Sequence, residues 1–489
     1  MAEPYSLQTR SDPGHGPGGF LRWLLAGIPM GLLFRWAGSL ELRWFLLLLA
    51  GAAIGLISLF FRDKKLFYLV LFSSTIAVGL VLHLGLKPSS IYRSTHAFLI
   101  SLCHIPLAAL IGFHALRCIR EGTPVFSTPA ALGGAVLLLG VCTLSVAAGP
   151  SSHYGGFDIF ALAASLVLFL ATANVIGDRD ELKAVLGVIV VSVSLQGLIA
   201  VLQHLSNSTL GLELFGAPRI LESYAGLSKV SRSGGTLGHP NSLALYMDLF
   251  LPLSVSLFLC PSLRSKRLLI GPGALLGALG LVSTLSRGGL LATGFAIIAV
   301  LLFHWRRRIG LVRSSFALLT LLTLAGVLIL ATPNPIQKRF STYDFGAAYG
   351  RYSLAGVAVN VIRENPLLGV GLNRFTEAAR LLDNSPERIV TLWNAPVHNL
   401  FLFITGETGI LGLSAFLLLL GVALRSLKAP LNSHDSLIVY AGFGVLMGFM
   451  AFLVHCLVDY VHWTRFNPFW FLAGFALSLG RIARQTPRE

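Results

Sequence analysis

Charged residues are scarce in this chain of 489 residues. Asp, Glu, Lys and Arg together make up only 12% of it, whereas hydrophobic residues make up 55%. A water-soluble domain of this size carries roughly twice that charged fraction. Many apolar runs reach the ~20 residues that a helix needs to cross a bilayer core. Because these runs are continuous rather than alternating, they exclude a transmembrane β-barrel and predict an all-α, polytopic membrane protein.

Other absences narrow the functional classes. The five cysteines are odd in number and contain no CxxC pair, which argues against a disulfide framework or a thiolate metal site. The chain contains no GxxxxGK[ST] sequence, so we expect no ATP-binding domain of that type. The net charge of +16 is not accompanied by a basic, aromatic-interleaved soluble module, so we do not expect nucleic acid as a partner. The N-terminal residues show no cleavable signal pattern. We expect the lipid bilayer as a partner, and neither a cofactor nor a metal.

The hydropathy pattern predicts thirteen membrane spans, and a fourteenth at 20–39 that could instead be an interfacial helix. The thirteen lie at 42–61, 65–86, 98–119, 130–149, 159–176, 183–205, 241–260, 268–286, 289–305, 314–332, 400–427, 437–460 and 466–484. The predicted organisation is a disordered tail (1–19), N-terminal transmembrane helices (20–182), transmembrane helices with arginine-bearing outward loops (183–332), a large loop (333–397), C-terminal transmembrane helices (398–484) and a cytoplasmic tail (485–489).

Loop charge predicts the orientation of the spans. Clusters of Lys and Arg fall on alternate connections, which assigns those connections to the cytoplasm. The connection 150–158 contains no Lys or Arg, as expected on the outer side. This parity makes 207–240 and 333–397 outward loops that are too long to be mere connections, and function concentrates in such loops. Within the second loop, apolar spacing predicts a helix from Tyr349 to Arg363 that ends at Asn365-Pro366.

The outward loops contain two arginine-bearing turns. The first is Arg232-Ser-Gly-Gly-Thr-Leu-Gly-His-Pro-Asn241, in which Gly234 and Gly235 would let the backbone approach a ligand and the following helix start would favour an anion. A tight re-entry turn with Asn241 as helix N-cap fits equally well. The second is Ser286-Arg-Gly-Gly289. An arginine at membrane depth is costly, so Arg287 is either functional or extended toward lipid headgroups.

Two further outward features lie in and after the large loop. Arg351 begins the predicted loop helix, and the later Asn365-Pro-Leu-Leu-Gly-Val-Gly371 is most simply a turn. His398-Asn399 opens a span in which Gly406, Gly409 and Gly412 would form a small face for another helix. We interpret His398 as a base or hydrogen-bond donor rather than a metal ligand, because no ligand follows at i+3 or i+4. A purely structural polar role is the alternative.

A polar stripe lies near the end of the penultimate span. His455, Asp459 and His462 follow one another at i, i+4 and i+7, a spacing that could hold a metal on one helix face. Hydrogen-bonded polar groups that face the helix bundle are the favoured interpretation.

The outward arginines and His398 together suggest a reaction class. The planar fork of arginine matches phosphate oxygens bidentately. A lipid diphosphate places its charge at the membrane surface, where Arg232 and Arg287 are predicted to lie. Fixed arginines could neutralise a departing diphosphate, while His398 deprotonates an incoming hydroxyl. This combination suggests glycosyl transfer from a polyprenyl diphosphate.

These motifs resemble the O-antigen ligase family, in the order Arg232 to Asn241, Ser286 to Gly289, Asn365 to Gly371, and His398-Asn399-x9-Gly409-x-x-Gly412. The resemblance covers roughly 180–480, and the superfamily also contains O-antigen polymerases. It implies a metal-independent, inverting glycosyltransferase of the membrane-embedded GT-C type, with a large periplasmic loop, in a bacterial inner membrane. The implied donor is an undecaprenyl-diphosphate-linked glycan, and the active site would face the periplasm.

The resemblance also implies residue roles. Arg232 and Arg287 would bind the diphosphate, His398 would activate the acceptor hydroxyl, and Arg351 would be a third cation. Asn241, Asn399, Gly234 and Gly235 are further predicted substrate-binding residues. The favoured function is an O-antigen ligase with lipid A-core as acceptor. Open alternatives are a polymerase of O-antigen or exopolysaccharide with a lipid-linked glycan acceptor, a protein O-oligosaccharyltransferase, and a polysaccharide transporter.

Overall fold

The computed structural model describes Tyr68 and residues 103–485, with gaps at 127, 150–153, 213–220, 226–227 and 311–346. In chain order its elements are His104–Glu121 (α1), Pro129–Ala148 (α2), Tyr154–Val175 (α3), Arg179–Ser206 (α4), Leu221–Ala225 (β1), Ser228–Arg232 (β2), Pro240–Leu259 (α5), Arg267–Ser283 (α6), Arg287–Ile309 (α7), Ala347–Glu364 (α8), Phe375–Leu381 (α9), Ile389–Trp393 (α10), Leu400–Ser426 (α11), Lys428–Leu431 (α12), Ser436–His455 (α13) and Asn467–Gln485 (α14). Short 3-10 turns lie at Gly235–Leu237, Pro261–Lys266 and Trp463–Arg465.

The all-α, multi-pass membrane class is confirmed. Within the described residues, eight helical stretches are long and apolar enough to cross a membrane: α2, α3, α4, α5, α6 with its preceding 3-10 turn, α7, α11 with α12, and α13. Helices α1 and α14 coincide with predicted spans but are too polar to count, since α1 ends with Arg117, Arg120 and Glu121, and α14 contains Arg481 and Arg484. The predicted spans at 20–39, 42–61 and 314–332, and 65–86 apart from Tyr68, lie outside the described residues.

The two long loops that are predicted to face outward contain regular structure. In 207–240, β1 and β2 form an antiparallel hairpin in which Leu221 pairs with Arg232. This hairpin is an addition to the predicted all-α architecture. In the described part of 333–397, α8 confirms the helix predicted between Tyr349 and Arg363, and it ends at Glu364, just before Asn365-Pro366. The short helices α9 and α10 follow it.

Helix α5 lies at the centre of the described bundle, because every residue from Leu243 to Ser254 is buried. Glycines let neighbouring helices approach its backbone. A Cβ added at Gly448 of α13 would lie 2.2 Å from the carbonyl oxygen of Leu249. Close contact of this kind replaces the hydrophobic driving force that is absent between helices in lipid. The same device joins α4 to α6, where a Cβ at Gly197 would lie 2.2 Å from the oxygen of Leu276.

Helix α11 is broken at Gly409, whose φ of 66° and ψ of −174° are accessible mainly to glycine. The turn predicted at 365–371 fills the break. The amides of Val370 and Gly371 donate to the carbonyls of Gly406 and Glu407 at 3.0 and 2.9 Å, and the amide of Ile410 donates to Pro366 at 2.9 Å. Irregular backbone survives at membrane depth only when protein groups satisfy it in this way.

The glycines of α11 therefore accommodate the loop after α8 at Gly409 and the first residue of α9 at Gly406. A Cβ at Gly409 would lie 2.0 Å from the carbonyl oxygen of Leu367, and one at Gly406 would lie 2.5 Å from the ring of Phe375. The prediction that Gly406, Gly409 and Gly412 form a face for a neighbouring helix is wrong. The loop after α8 packs there instead, because the freed backbone groups at the break need partners.

Four helix termini meet at one end of the bundle. The starts of α5 and α7 and the end of α13 converge there, since Asn241 contacts Asp459 and Ser286 contacts His455. The start of α11 joins them, since the amide of Leu400 donates to the carbonyl of Cys456 at 2.9 Å. This convergence brings together stretches that are far apart in the sequence.

Candidate functional site

Three arginines line one small cleft at this end of the bundle. We call it the arginine cleft, and its volume is about 60 Å³. It is lined by Arg232, Asn241, Leu285, Ser286, Arg287, Gly288, Arg351, His455, Val458 and Asp459. The structure therefore brings together the three predicted arginines from the hairpin, the start of α7 and the start of α8. Three guanidinium groups around one cleft favour an anion with several oxygens.

Arg232 is held at the end of β2 by two hydrogen bonds. Its Nε donates to the carbonyl of Thr284 at 2.8 Å, and its Nη2 donates to Oδ1 of Asn241 at 2.7 Å. Asn241 in turn donates from Nδ2 to Oδ2 of Asp459 at 2.5 Å. This chain of contacts fixes the guanidinium against the turn that precedes α7. Such preorganisation is what electrostatic stabilisation of a developing charge requires.

Asn241 is not the N-cap that the alternative interpretation required. The N-cap of α5 is His239, whose Nδ1 accepts from the amide of Asn241 at 3.2 Å. The carboxamide of Asn241 is thereby left to bridge a guanidinium and a carboxylate. Its role in the structure is to hold Arg232 and Asp459 in place on the wall of the cleft.

Gly234 and Gly235 lie away from the arginine cleft. The amide of Gly235 donates to Oε1 of Gln203 at 2.9 Å, and the amide of Thr236 donates to Oε1 of Gln196 at 3.2 Å. Gly235 has a φ of 57°, which favours glycine. Helix α4 takes up the amides of Gly235 and Thr236, and neither Gly234 nor Gly235 is among the residues that line the cleft, so their approach to a ligand stays a prediction. They shape the turn that leads into α5.

Arg287 is the first residue of α7, and its side chain is half-buried. The N-cap is Ser286, whose Oγ accepts from the amide of Gly289 at 3.4 Å. The predicted turn therefore lies just before Arg287, with Leu285 in the left-handed region at a φ of 50°. A helix N-terminus has a partial positive charge, which adds to that of the guanidinium.

His398 lies beside the arginine cleft rather than in its lining. Its ring packs edge-on against Trp393 and Tyr460, with centroid distances of 5.9 and 5.3 Å. Trp393 also contacts the start of α8, where a Cβ at Gly350 would lie 2.4 Å from the indole. Gly350 and Tyr460 are the sequence neighbours of two cleft residues, Arg351 and Asp459. Two aromatic side chains thus orient the ring of His398, and each is joined to the cleft through a neighbour in the chain or in space.

Asn399 holds the start of α11 in place, and its predicted contact with a substrate stays a prediction. Its Oδ1 caps α11 by accepting from the amide of Leu402 at 2.9 Å. Its Nδ2 donates to the carbonyl of Leu457 at 3.0 Å. Both ends of the carboxamide bind backbone, so the start of α11 is joined to the segment that leads into Asp459.

The predicted stripe of His455, Asp459 and His462 is only partly confirmed. Helix α13 ends at His455, so the three residues do not share a helix face. His455 and Asp459 are hydrogen-bonded within the bundle, as favoured, but His462 packs against Phe403 and Tyr460 instead. In the part of the chain that the structure describes, no group of three His, Cys, Asp or Glu residues is arranged to hold a metal ion.

Sequence reasoning missed several residues around the cleft. Asp248, in the middle of α5, accepts from Thr293 and contacts His455. Its signal was available, because a lone carboxylate within an apolar span is by default a functional candidate. Trp393 and Tyr460 gave no comparable signal, since aromatic residues are common throughout this chain.

A comparison with protein families decides the broader assignment. Residues 272–417 match the family model described as O-antigen ligase. This segment is therefore similar to the O-antigen ligase family. No curated protein matches the chain. The O-antigen ligase segment contains Arg287, Arg351 and His398, while Arg232 and Asp459 lie outside it.

The match to the O-antigen ligase family model supports a coarse function. It supports a membrane glycosyltransferase of the ligase or polymerase type. Lipid-linked glycans are the substrates that such an enzyme implies, and the bilayer is its surroundings. The chain is a multi-pass membrane protein.

Proposed function

We propose that this protein transfers a glycan from undecaprenyl diphosphate to an acceptor hydroxyl on the periplasmic side of a bacterial inner membrane. The acceptor is lipid A-core, which makes the protein an O-antigen ligase. The observation that carries this proposal is the arginine cleft, which Arg232, Arg287 and Arg351 line together. The O-antigen ligase match over 272–417 supports the same reaction class.

The diphosphate of the donor binds in the arginine cleft. A polyprenyl diphosphate has its tail in the bilayer and its charge at the surface, and the cleft lies at the ends of membrane helices. Asp459 is the one acidic residue among those that line the cleft, so the three guanidinium groups leave an excess of positive charge. Arginine forks bind phosphate oxygens in pairs. The excess charge stabilises the diphosphate most strongly as its negative charge grows on leaving.

His398 acts on the acceptor. Its imidazole accepts the proton of the acceptor hydroxyl as the oxygen forms a bond to the anomeric carbon of the donor sugar. The bond from that carbon to the diphosphate oxygen breaks at the same time, and undecaprenyl diphosphate leaves with the electron pair. Attack opposite the leaving group inverts the anomeric centre. The edge-on contacts with Trp393 and Tyr460 hold the ring for this step.

The test is turnover of a purified protein with a lipid-linked glycan donor, offered lipid A-core and a second lipid-linked glycan in separate reactions. We expect product with lipid A-core. Elongation of the lipid-linked glycan instead would identify a polymerase. Movement of intact donor across vesicles without transfer would identify a transporter. No transfer to either glycan acceptor would refute the proposed function.

The role of His398 is tested by His398→Ala. We expect turnover to fall by about 10² to 10⁴, the usual contribution of a positioned general base, while donor binding stays within a few-fold of wild type. His114→Ala is the matched control, because His114 contacts the carbonyl of Val125 at 3.0 Å in the connection between α1 and α2. Full turnover by His398→Ala would remove the proposed base.

A further inference from the structure

His455 is buried at the inner wall of the arginine cleft, and Asp248 fixes one side of its ring. Their side chains are only 1% and 0% exposed. Nδ1 of His455 lies 2.6 Å from Oδ2 of Asp248, and Thr293 donates from Oγ1 to the other carboxylate oxygen at 2.5 Å. A carboxylate buried within a membrane helix is costly unless a cation compensates it. The imidazolium form of His455 supplies that cation.

The opposite edge of the ring faces the cleft. Nε2 lies 3.4 Å from Oγ of Ser286 and 3.9 Å from Oδ2 of Asp459. Both distances exceed the 2.7 to 3.2 Å of a good hydrogen bond. The first turn of α7 approaches this edge closely, since a Cβ at Gly288 would lie 2.8 Å from Nε2. Glycine at this position lets the first turn of α7 pack against the ring edge, where any side chain would collide with Nε2.

We propose that His455 is a fourth anion-binding group of the arginine cleft, donating from Nε2 to a phosphate oxygen of the bound diphosphate. Asp248 is its positioning residue, which holds Nδ1–H and stabilises the charged ring. This inference rests on the proposed function, because it assigns a further residue to the same diphosphate site. The charged groups that share the site with the ring are Asp248 on α5, Asp459 after α13, Arg232 on β2, Arg287 on α7 and Arg351 on α8.

The geometry favours ligand binding over a purely structural role. A histidine that only neutralised Asp248 would not need its other nitrogen to lie among residues that line the cleft, with only long contacts to Ser286 and Asp459. Here that nitrogen is directed into a cleft that three arginines also line. Charge-assisted hydrogen bonds to phosphate are shorter and about twice as strong as neutral ones.

The experiment measures inorganic pyrophosphate binding to the purified full-length protein by calorimetry. His455→Asn keeps an amide near Nδ1 for Asp248 but has no group that reaches the cleft, so the dissociation constant should rise by about 10- to 100-fold. His455→Gln places an amide donor near the position of Nε2 and should recover part of this loss. A defect in packing alone would not separate the two variants in this order.

Two further variants complete the design. Asp248→Asn preserves the shape of the carboxylate but removes its charge, and it should weaken pyrophosphate binding by about tenfold because the ring is no longer held charged. His304→Asn is the control, because His304 lies on α7 outside the cleft lining, with its Nδ1 2.8 Å from the hydroxyl of Tyr440. This variant should bind pyrophosphate as the wild-type protein does. If His455→Asn does not fold, His455→Gln and Asp248→Asn decide the question.

The outcomes separate this inference from the proposed function. Folded variants of His455 and Asp248 that bind pyrophosphate within twofold of wild type would overturn the inference. If Arg287→Lys lost binding in the same assay while His455→Asn retained it, only the role of His455 would fall. If the wild-type protein did not bind pyrophosphate at all, the diphosphate site and this inference would fall together.

Discussion

Replacing Asn241 with aspartate exchanges one nitrogen of the arginine cleft for an oxygen. The hydrogen bond to Asp459 then becomes a repulsive contact between two carboxylates. Oδ1 of Asn241 accepts from Arg232, a contact that a carboxylate retains. Nδ2 donates to Asp459 at 2.5 Å, a contact that a carboxylate cannot make. Asn241→Asp therefore sets two carboxylates against each other while it leaves the shape of the site unchanged.

The size of the effect follows from the added charge. A unit negative charge about 6 Å from a phosphate opposes it by about 3 kcal/mol at an effective dielectric constant of about 20. Since every 1.4 kcal/mol is tenfold, pyrophosphate and donor should bind about a hundredfold more weakly. Two adjacent carboxylates can share a proton, which raises the pKa of the introduced group. The defect should therefore be small at low pH and grow as the pH rises through that raised value.

The assay is pyrophosphate binding by calorimetry across pH, together with donor titration of the transferase reaction. Asn241→Ala is the matched variant, because it removes the same bridge without adding charge, and its defect should depend little on pH. The reasoning fails if Asn241→Asp binds pyrophosphate as tightly as wild type above pH 7. It also fails if the aspartate and alanine variants show the same pH dependence.

The other predictions concern the planar guanidinium group of Arg287, the break in helix α11 and the dependence of turnover on metal ions. Arg287→Lys should reduce turnover by at least about tenfold because a point charge does not replace a bidentate fork, whereas Arg306→Lys at the exposed other end of α7 should be neutral in the same assay. Gly409→Ala should lower the free energy of unfolding by several kcal/mol, because its Cβ would lie 2.0 Å from the oxygen of Leu367 at a φ of 66°. Gly421→Ala is the control on the same helix, because a Cβ at Gly421 would have no atom within 4 Å, and it should not destabilise the protein in thermal unfolding. Equal destabilisation by the two alanine variants would contradict the role of Gly409 in the break. EDTA should leave transferase turnover unchanged, and a large loss would indicate a metal ion in the reaction.

Helix positions were accessible from the sequence because a bilayer imposes one rule on every span. Backbone groups in lipid must be satisfied internally, so each continuous apolar run becomes a helix. The described helices α2 to α7 follow the predicted spans closely for this reason. The end of α13 departs from its predicted span, because the apolar run continues to residue 460 while the helix stops at His455. Hydropathy does not register where a tertiary contact ends a helix.

The arginines of the site were also visible in the sequence, whereas their partners were not. A charged residue in an outward turn of an apolar chain is conspicuous, which identified Arg232, Arg287 and Arg351. Nothing local indicated that Asn241 would bridge Arg232 to Asp459, since these residues are separated by up to 227 positions. Local patterns also cannot distinguish an amide such as Asn241, which joins two side chains of the cleft, from one such as Asn399, which binds backbone at a helix start.

Composition and periodicity by themselves determined that this chain is a multi-pass helical membrane protein with polar chemistry at helix termini. They could do so because hydrophobic length and charge placement act locally and additively along the chain. Only the tertiary structure decided that Gly409 breaks α11 to receive the loop after α8, that Asp248 meets His455, and that three arginines share one cleft. These features depend on which helix termini converge, and that convergence arises from close packing between distant segments.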